Sequence, residues 1–326
     1  MALGVSGAWA ADQKGDVHTQ PHAHVATTNA ASAVSNDAPS PSLRGRFIVH
    51  CEPTVRDRID PVVTPGVYGR SHLHDFYGPR AVPREPSAQR LTKVNLGSSC
   101  SDSRDKSLYW HPTLLREGKT VSPVRIQAYY NISNLTEPTP IGLTYIAGSP
   151  GNLVTDGVHV RWVCGGDGDD KSSRVALSCE EDEYLSAAVS FPSCWDGRNL
   201  QSSDYGSHLA YAAADGRCPS SHPRHIPQLS LFMQWSCPSV CGHVEGLTLS
   251  SGGTGGLHAD VIFNWDSDSL KDIINACMDK DCGVLENDAP TVGGALIPAG
   301  SAAAFLWRPI SAVGYLDEGY AAPGTP

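Results

Sequence analysis

The sequence predicts an all-β protein, a single β-sandwich or jelly-roll-like domain with long disulfide-bonded loops and few helices. Glycine and proline are abundant, with 32 and 24 residues among 326, and only 18% of the residues are charged. Short segments with alternating apolar residues, such as 124–130, are separated by turn-forming residues, which is typical of strands rather than helices. A hydrophobic content of 40% is sufficient for a substantial core.

The predicted elements follow one another through most of the chain. Only one helix is expected, over residues 269–278, because Leu270, Ile273, Ile274 and Cys277 form an apolar stripe with Ser267 or Ser269 as the N-cap. A turn at 165–170 carries three acidic residues but lacks a complete calcium-binding loop, so a solvated turn is the favoured interpretation. The strand-like segments are 46–51, 124–130, 141–147, 158–164, 184–191, 229–235 and 257–266.

Ten cysteines are spread through the chain, and none belongs to a C-x-x-C pair. Disulfide bonds formed in an oxidising compartment therefore explain them better than zinc-finger sites do. Cys237/Cys241 and Cys277/Cys282 are close enough in sequence to bond locally, although each cysteine could equally bond a distant partner.

The N-terminal segment favours export, because residues 8–10 read Ala-Trp-Ala, similar to a signal-peptide cleavage site. We interpret residues 1–10 as the remnant of a secretion signal and residues 11–43, rich in small and polar side chains, as a disordered lead-in. Residues 44–326 form the single predicted domain. No later apolar run is long enough to cross a bilayer, so we expect a secreted, extracellular monomer.

The net charge of −10 limits the classes of partner. Nucleic-acid backbones and anionic membranes attract proteins rich in lysine and arginine. Neither is therefore expected as a partner.

The stretch 71–78 places two histidines and an acid beside aromatic residues. Prolines at 61 and 65 predict a rigid extended approach to it. In an extended segment alternate side chains share one face, so His72 and His74 should point together and Asp75 to the other side. The same spacing puts His258 and Asp260 on one face of a strand. Paired imidazoles can bind a metal, exchange protons or hold a polar ligand.

Eight ordered blocks of the sequence match one known family. They are RIDPVVTPG (58–66), SHLH (71–74), DKSLYW (105–110), FPSCWDGRNL (191–200), Asp204, SHLAY (207–211), CPSSHP (218–223) and HADVIFNWD (258–266). Through these blocks the chain resembles, over about residues 46–282, a secreted family of fungi and bacteria catalogued as the domain of unknown function numbered nineteen ninety-six. Members of that family are often joined to carbohydrate-binding modules, which implies a polysaccharide or cell-wall glycan as partner. The fungal pattern has a glutamine-type residue in place of Asp75, so His72 and His74 are the stronger candidates.

These blocks supply the candidate site residues. Acids and histidines interleaved with aromatic residues suit a sugar site, because aromatic faces stack on pyranose rings and polar groups hold hydroxyls. The candidate substrate-binding residues are Tyr77, Trp110, Trp195, Tyr205 and Trp265. The candidate catalytic residues are His72, His74, Asp105, Lys106, Asp196, Asp204, His208, His258 and Asp260.

Three functions remain open at this stage. The first is a carbohydrate-active enzyme, either a hydrolase using two of Asp196, Asp204 and Asp260 or a lyase. A lyase would need a base, for which His208, His72 and Tyr205 are candidates, and a cation such as Lys106. The second is a non-catalytic carbohydrate-binding or cell-wall protein.

The third is a metal-dependent enzyme. Its divalent ion would be held by His72 and His74, with His208 as the third ligand or His258 in its place. No cofactor is otherwise predicted.

Several candidates also have a purely structural interpretation. Asp105 and Lys106 could form an ion pair, and Asp196 could shape a turn before Gly197. The tryptophans could belong to the core, and His258 and Asp260 could be partners of each other.

Overall fold

The computed structural model of the chain describes residues 43–82, 91, 93, 95–165, 171–241, 244–286, 291–292 and 295–296. The predicted remnant of the secretion signal and residues 11–42 of the lead-in lie outside the described residues. So do residues 166–170 of the turn considered for calcium and residues 297–326 of the predicted domain.

The larger of two main sheets has seven strands. Neighbouring strands are antiparallel, except that the first strand of the chain pairs in parallel with the last strand of this sheet. In spatial order they are β10 (Ser172–Ser173), β9 (Val160–Cys164), β11 (Tyr184–Ser190), β15 (Gln228–Ser236), β7 (Arg125–Ser133), β1 (Leu43–Cys51) and β18 (Asp281–Val284).

The second main sheet has five strands, all paired antiparallel with their neighbours. Their spatial order is β2 (Pro53–Asp57), β3 (His74–Tyr77), β4 (Leu108–Pro112), β17 (His258–Ile262) and β8 (Thr144–Gly148).

Small sheets and short helices complete the fold. One sheet of three strands has the spatial order β13 (Leu209–Ala210), β12 (Cys194–Trp195) and β14 (Arg224–His225). Another sheet of three strands has the order β16 (Leu247–Leu249), β5 (Leu114–Arg116) and β6 (Lys119–Thr120). A hairpin pairs β19 (Thr291–Val292) with β20 (Ala295–Leu296). The helices whose bounds the structure describes are α1 (Cys237–Val240) and α2 (Ser267–Cys277), with a 3-10 turn at Thr254–Gly256.

The core lies where apolar side chains of the two main sheets pack together. Phe47 and Tyr130 of the larger sheet share one cluster with Tyr109 and Val261 of the five-stranded sheet. Alternate residues of the five-stranded sheet, including Trp110, belong to a second apolar cluster on its other face. Both faces of this sheet are therefore covered, and the all-β prediction is confirmed.

Helix α2 carries the predicted stripe, since Leu270, Ile273, Ile274 and Cys277 are all buried. The predicted N-cap is wrong, because the observed N-cap lies one residue before Ser267 and three residues before Ser269. Asp266 is the N-cap, because its side chain accepts a hydrogen bond from the amide of Ser269. Asp is as good an N-cap residue as Ser, so residue type alone did not separate the two.

All ten cysteines are bonded, including the two local pairs considered from the sequence. The five bonds are Cys51–Cys100, Cys164–Cys179, Cys194–Cys218, Cys237–Cys241 and Cys277–Cys282. Such a set is typical of proteins from oxidising compartments. None of the helices in the described part of the chain has the length and hydrophobicity that crossing a membrane requires.

Candidate functional site

Three histidines converge on the outer face of the five-stranded sheet. His74 begins β3, His258 begins β17, and His72 lies two residues before β3. One nitrogen from each ring belongs to a set whose members all lie within 4.8 Å of one another. The Nε2 atoms of His72 and His258 are 3.1 Å apart. The predicted shared face of His72 and His74 is confirmed by the 4.2 Å between their ring centroids.

Strand register explains why residues 184 positions apart in sequence meet. Strand β4 lies between β3 and β17, and His74 is opposite Pro112. Because Asp260 pairs with Trp110, the antiparallel register carried two residues further places His258 beside the same Pro112.

Backbone carbonyls fix the orientation of two of these rings. The Nδ1 of His74 lies 2.8 Å from the carbonyl oxygen of Ile59, and that of His258 lies 2.9 Å from the carbonyl oxygen of Gly256. A carbonyl can only accept, so both Nδ1 atoms carry the proton and both Nε2 atoms present a lone pair. Within the described part of the chain, the buried Nε2 of His74 has no hydrogen-bond partner. In proteins, a histidine ligand of a metal usually donates its other ring N–H to a group such as a backbone carbonyl, as His74 and His258 do here.

The electrostatic environment keeps His74 neutral. Burial is the main cause that holds its pKa well below 6.5, and the neighbouring His72 and His258 add to the effect. A neutral imidazole is the form that ligates a metal. His74 and His258 are buried while His72 is half-buried, so the cluster reaches solvent on the side of His72.

A buried acid accompanies the histidines. Asp260 lies two residues after His258 on the same face of β17, and its Oδ2 has no hydrogen-bond partner among the residues that the structure describes. Burial, followed by the charge of Asp60, raises the pKa of Asp260 well above its usual value. Asp60 itself accepts hydrogen bonds from the amides of Val62 and Val63. Two carboxyl groups therefore lie near one another beside the histidine cluster.

The loop that holds His74 is braced by a residue predicted to bind substrate. Tyr205 donates a hydrogen bond to the carbonyl of Val63 at 3.3 Å, four residues beyond the Ile59 carbonyl that receives His74. Its φ of 62° is unusual for a bulky residue and marks a local constraint. Gln201 bonds the carbonyl of Val62 at 3.4 Å. Tyr205 therefore acts on the site through the loop.

His208 does not join the cluster. Its Nε2 lies 2.8 Å from the carbonyl oxygen of Thr144 and its Nδ1 lies 2.9 Å from the hydroxyl of Ser202. Both ring nitrogens are therefore engaged elsewhere. Of the two histidines considered as the third ligand, the structure places His258 and not His208 near His72 and His74, because only β4 separates β17 from β3.

Asp196 and Asp204 hold turns near His208. Asp196 accepts from the amides of Arg198 and Asn199, which lower its pKa although partial burial opposes them. The hydroxyl of Ser202 is the main cause that lowers the pKa of Asp204. A glycosidase needs one carboxyl group with a raised pKa as its general acid. This pair does not provide it.

Asp105 and Lys106 also lie outside the cluster. The carboxylate of Asp105 is buried and accepts hydrogen bonds from the hydroxyl of Tyr109 at 2.6 Å and the amide of Ser107 at 3.0 Å. Burial raises the pKa of Asp105 to about 7. Lys106 is half-buried. Asp105 therefore has a structural place in the core.

Three of the five aromatic candidates are core residues. Tyr77, Trp110 and Trp265 are each 0% exposed, so they have no surface for stacking on a sugar. Trp195 is half-buried, and its indole nitrogen donates to the carbonyl of Asn199 at 2.7 Å. The alternation of the sequence identified strand residues correctly but did not reveal that both faces of the sheet are covered.

Sequence reasoning missed three contributors to the site. The carbonyls of Ile59 and Gly256 orient His74 and His258, and the carboxylate of Asp60 influences Asp260. Backbone carbonyls leave no signal in residue type. Asp60 had one, since this acid precedes a proline in the rigid approach segment that leads to His72 and His74.

Comparison with known proteins identifies the family without adding a function. No curated protein and no solved structure matches the chain significantly. A family profile matches residues 60–265, a segment that contains all three histidines as well as Asp60 and Asp260. Because the match covers more than half of the chain, the protein belongs to the family described as Domain of unknown function (DUF1996).

Proposed function

We propose that this protein is a secreted metal-dependent enzyme whose centre is formed by His72, His74 and His258. The proposal depends on one observation, the convergence of three imidazoles whose ligand atoms lie within 4.8 Å of one another. The backbone carbonyls that orient two of these rings, and the five disulfide bonds, agree with it.

The donor set indicates the class of ion. Three imidazole nitrogens suit divalent zinc, copper, iron or nickel rather than magnesium or calcium, which prefer oxygen ligands. Zinc–nitrogen bonds of about 2.0–2.1 Å in a tetrahedral site place two ligand nitrogens roughly 3.3 Å apart. The 3.1 Å between the Nε2 atoms of His72 and His258 is already close to this separation.

Three protein ligands favour catalysis over a purely structural role. Structural zinc sites use four protein ligands, whereas catalytic sites use three and keep one position open. When bound, such an ion polarises a substrate or activates water. His72 is the half-buried member of the set, so a substrate would approach from its side. Asp260 is the buried acid on the same sheet face.

For the substrate we keep the polysaccharide inferred from the sequence. Its support is reduced by the burial of Tyr77, Trp110 and Trp265, and Trp195 and Tyr205 are the remaining partly accessible candidates. The reaction at the metal centre would then be either hydrolysis or β-elimination of a polysaccharide. A non-catalytic glycan-binding protein is the competing function.

The test begins with protein purified without a histidine tag and stripped by a chelator. Zinc, copper, cobalt and manganese are titrated separately into the wild type and into His72→Ala, a change at the least buried member of the cluster. His222→Ala is the matched control, because His222 is also half-buried and lies outside the cluster. We expect one ion per chain in the wild type and the control, and a large loss of affinity in His72→Ala.

Activity is then measured on neutral and uronic-acid polysaccharides. New reducing ends alone indicate hydrolysis, and additional ultraviolet absorbance from unsaturated sugars indicates β-elimination. We expect cleavage by the metal-loaded wild type and His222→Ala only. Full cleavage by metal-free protein would contradict the proposal. Retention on an insoluble glycan without cleavage or metal binding would favour the binding protein.

A further inference from the structure

A cavity lies at one end of the larger sheet. None of the three clustered histidines is among its lining residues. Its volume is about 370 Å³. One wall is formed where β7 and β15 pair, with Asn131 opposite Gln228, and another by His225 of β14. The loop 211–216 closes it. This volume is at the lower end of the range of small-molecule sites, about 300–1,000 Å³.

The lining is polar and carries little net charge. The lining includes the amide-bearing residues Asn131 and Gln228 and the hydroxyl-bearing residues Ser133 and Ser193. Among the described residues that line the cavity, Asp215 supplies the one carboxylate, and it lies 3.5 Å from the guanidinium of Arg217. Amides and hydroxyls both donate and accept hydrogen bonds. The cavity therefore matches a neutral ligand with many hydroxyl groups better than an anion or a cation.

An aromatic ring is held rigidly at the edge of this polar lining. Tyr211 is 37% exposed. Its ring stacks on the imidazole of His159 with centroids 3.7 Å apart, and its hydroxyl donates to the carbonyl of Ser190 at 2.9 Å. Since both ends of the side chain are fixed, little conformational entropy would be lost when a ligand packs against it. A fixed aromatic ring beside amides is suited to a sugar ring.

We infer that this cavity binds one neutral sugar unit of a polysaccharide, packed against Tyr211 and hydrogen-bonded by Asn131 and Gln228. The inference goes beyond the proposed metal centre, because none of these residues belongs to that centre. Such a site would let the protein bind a glycan chain whether or not the protein cleaves it.

The test is electrophoresis of native, metal-free protein through gels containing one soluble polysaccharide each. The neutral probes are hydroxyethylcellulose, laminarin, xylan and galactomannan, and the anionic probe is polygalacturonate. We expect at least one neutral polysaccharide to retard the wild type. In Tyr211→Ala the apparent affinity should fall roughly tenfold because the stacking surface is lost. Tyr211→Phe, which keeps the ring, should retain binding.

Two further variants make the result specific. Gln228→Ala should weaken retardation because it removes an amide from the cavity lining. Tyr68→Ala is the matched control, since Tyr68 is 54% exposed and does not line the cavity. Absence of retardation by every neutral probe, or equal retardation of the wild type and Tyr211→Ala, would overturn the inference. Using metal-free protein separates this outcome from failure of the metal centre.

Discussion

Two buried polar clusters lie on opposite faces of the five-stranded sheet and differ in how their polar atoms are used. On the core side, the hydroxyl of Tyr109 donates to Asp105 and contacts the hydroxyl of Tyr130, and the indole of Trp265 donates to Tyr130 at 3.2 Å. On the outer face, none of the described residues forms a hydrogen bond with the Nε2 of His74.

This difference distinguishes the two clusters more clearly than residue type does. Buried polar groups that all have partners stabilise and specify a core. A buried imidazole nitrogen without a partner is costly to folding, unless a ligand completes it. Acids and aromatic residues occur in both clusters, so the sequence assigned both to one site.

The largest expected effect is the loss of two ligands at once. In His74→Ala/His258→Ala the affinity for zinc should fall by roughly 10⁴-fold or more, since binding energies of about 10–16 kcal/mol for four-ligand sites correspond to about 3–4 kcal/mol for each ligand. Competition with a chelating dye measures this, with circular dichroism as the check on folding. An affinity within tenfold of the wild type would contradict the proposal that His74 and His258 are metal ligands.

Asp105 should give stability a pH dependence that the variant Asp105→Asn lacks. Its folded pKa of about 7 is raised from 3.8 by burial, so its stabilising contribution is complete below about pH 4 and is lost as the pH rises to about 7. About three pKa units correspond to about 4 kcal/mol. Urea unfolding from pH 4 to 8 measures the difference between the two proteins. A difference that is constant with pH would contradict the burial of this carboxyl group.

Removing one hydroxyl from the core cluster should affect stability alone. Tyr130→Phe leaves the indole nitrogen of Trp265 without its acceptor, which should lower the free energy of unfolding by about 1–3 kcal/mol. Zinc affinity should stay the same, because Tyr130 faces the core and not the histidine cluster. Thermal unfolding and the dye competition measure the two quantities. A weakened metal site would show that the clusters are coupled.

The smallest expected effect on metal affinity belongs to His208. His208→Ala should leave zinc binding unchanged, because both ring nitrogens of His208 contact Thr144 and Ser202. Calorimetric titration beside His258→Ala provides the contrast. Equal losses in the two variants would restore His208 as the third ligand.

What the sequence predicted correctly depends on local alternation. The shared faces of His72 with His74 and of His258 with Asp260, and the opposite direction of Asp75, follow from strand geometry within a few residues. Asp75 lies on the core side and pairs with Arg56. The all-β class follows from the same pattern repeated along the chain.

What the sequence did not predict depends on which strands are neighbours. The placement of β4 between β3 and β17 brings His258 to His74, and no local pattern encodes that order. The sequence left open whether Trp110 and Trp265 bind substrate or belong to the core, and their complete burial decides for the core. The carboxylates of Asp196 and Asp204 accept hydrogen bonds within two turns, and residue type alone does not show this.

The most direct test of the metal centre is anomalous diffraction from crystals of the chelator-treated protein reloaded with zinc, measured above and below the zinc absorption edge. We predict one strong peak about 2.0–2.2 Å from the Nε2 atoms of His72, His74 and His258. Zinc bound only at other residues, or no peak between these three rings at saturating zinc, would contradict the account.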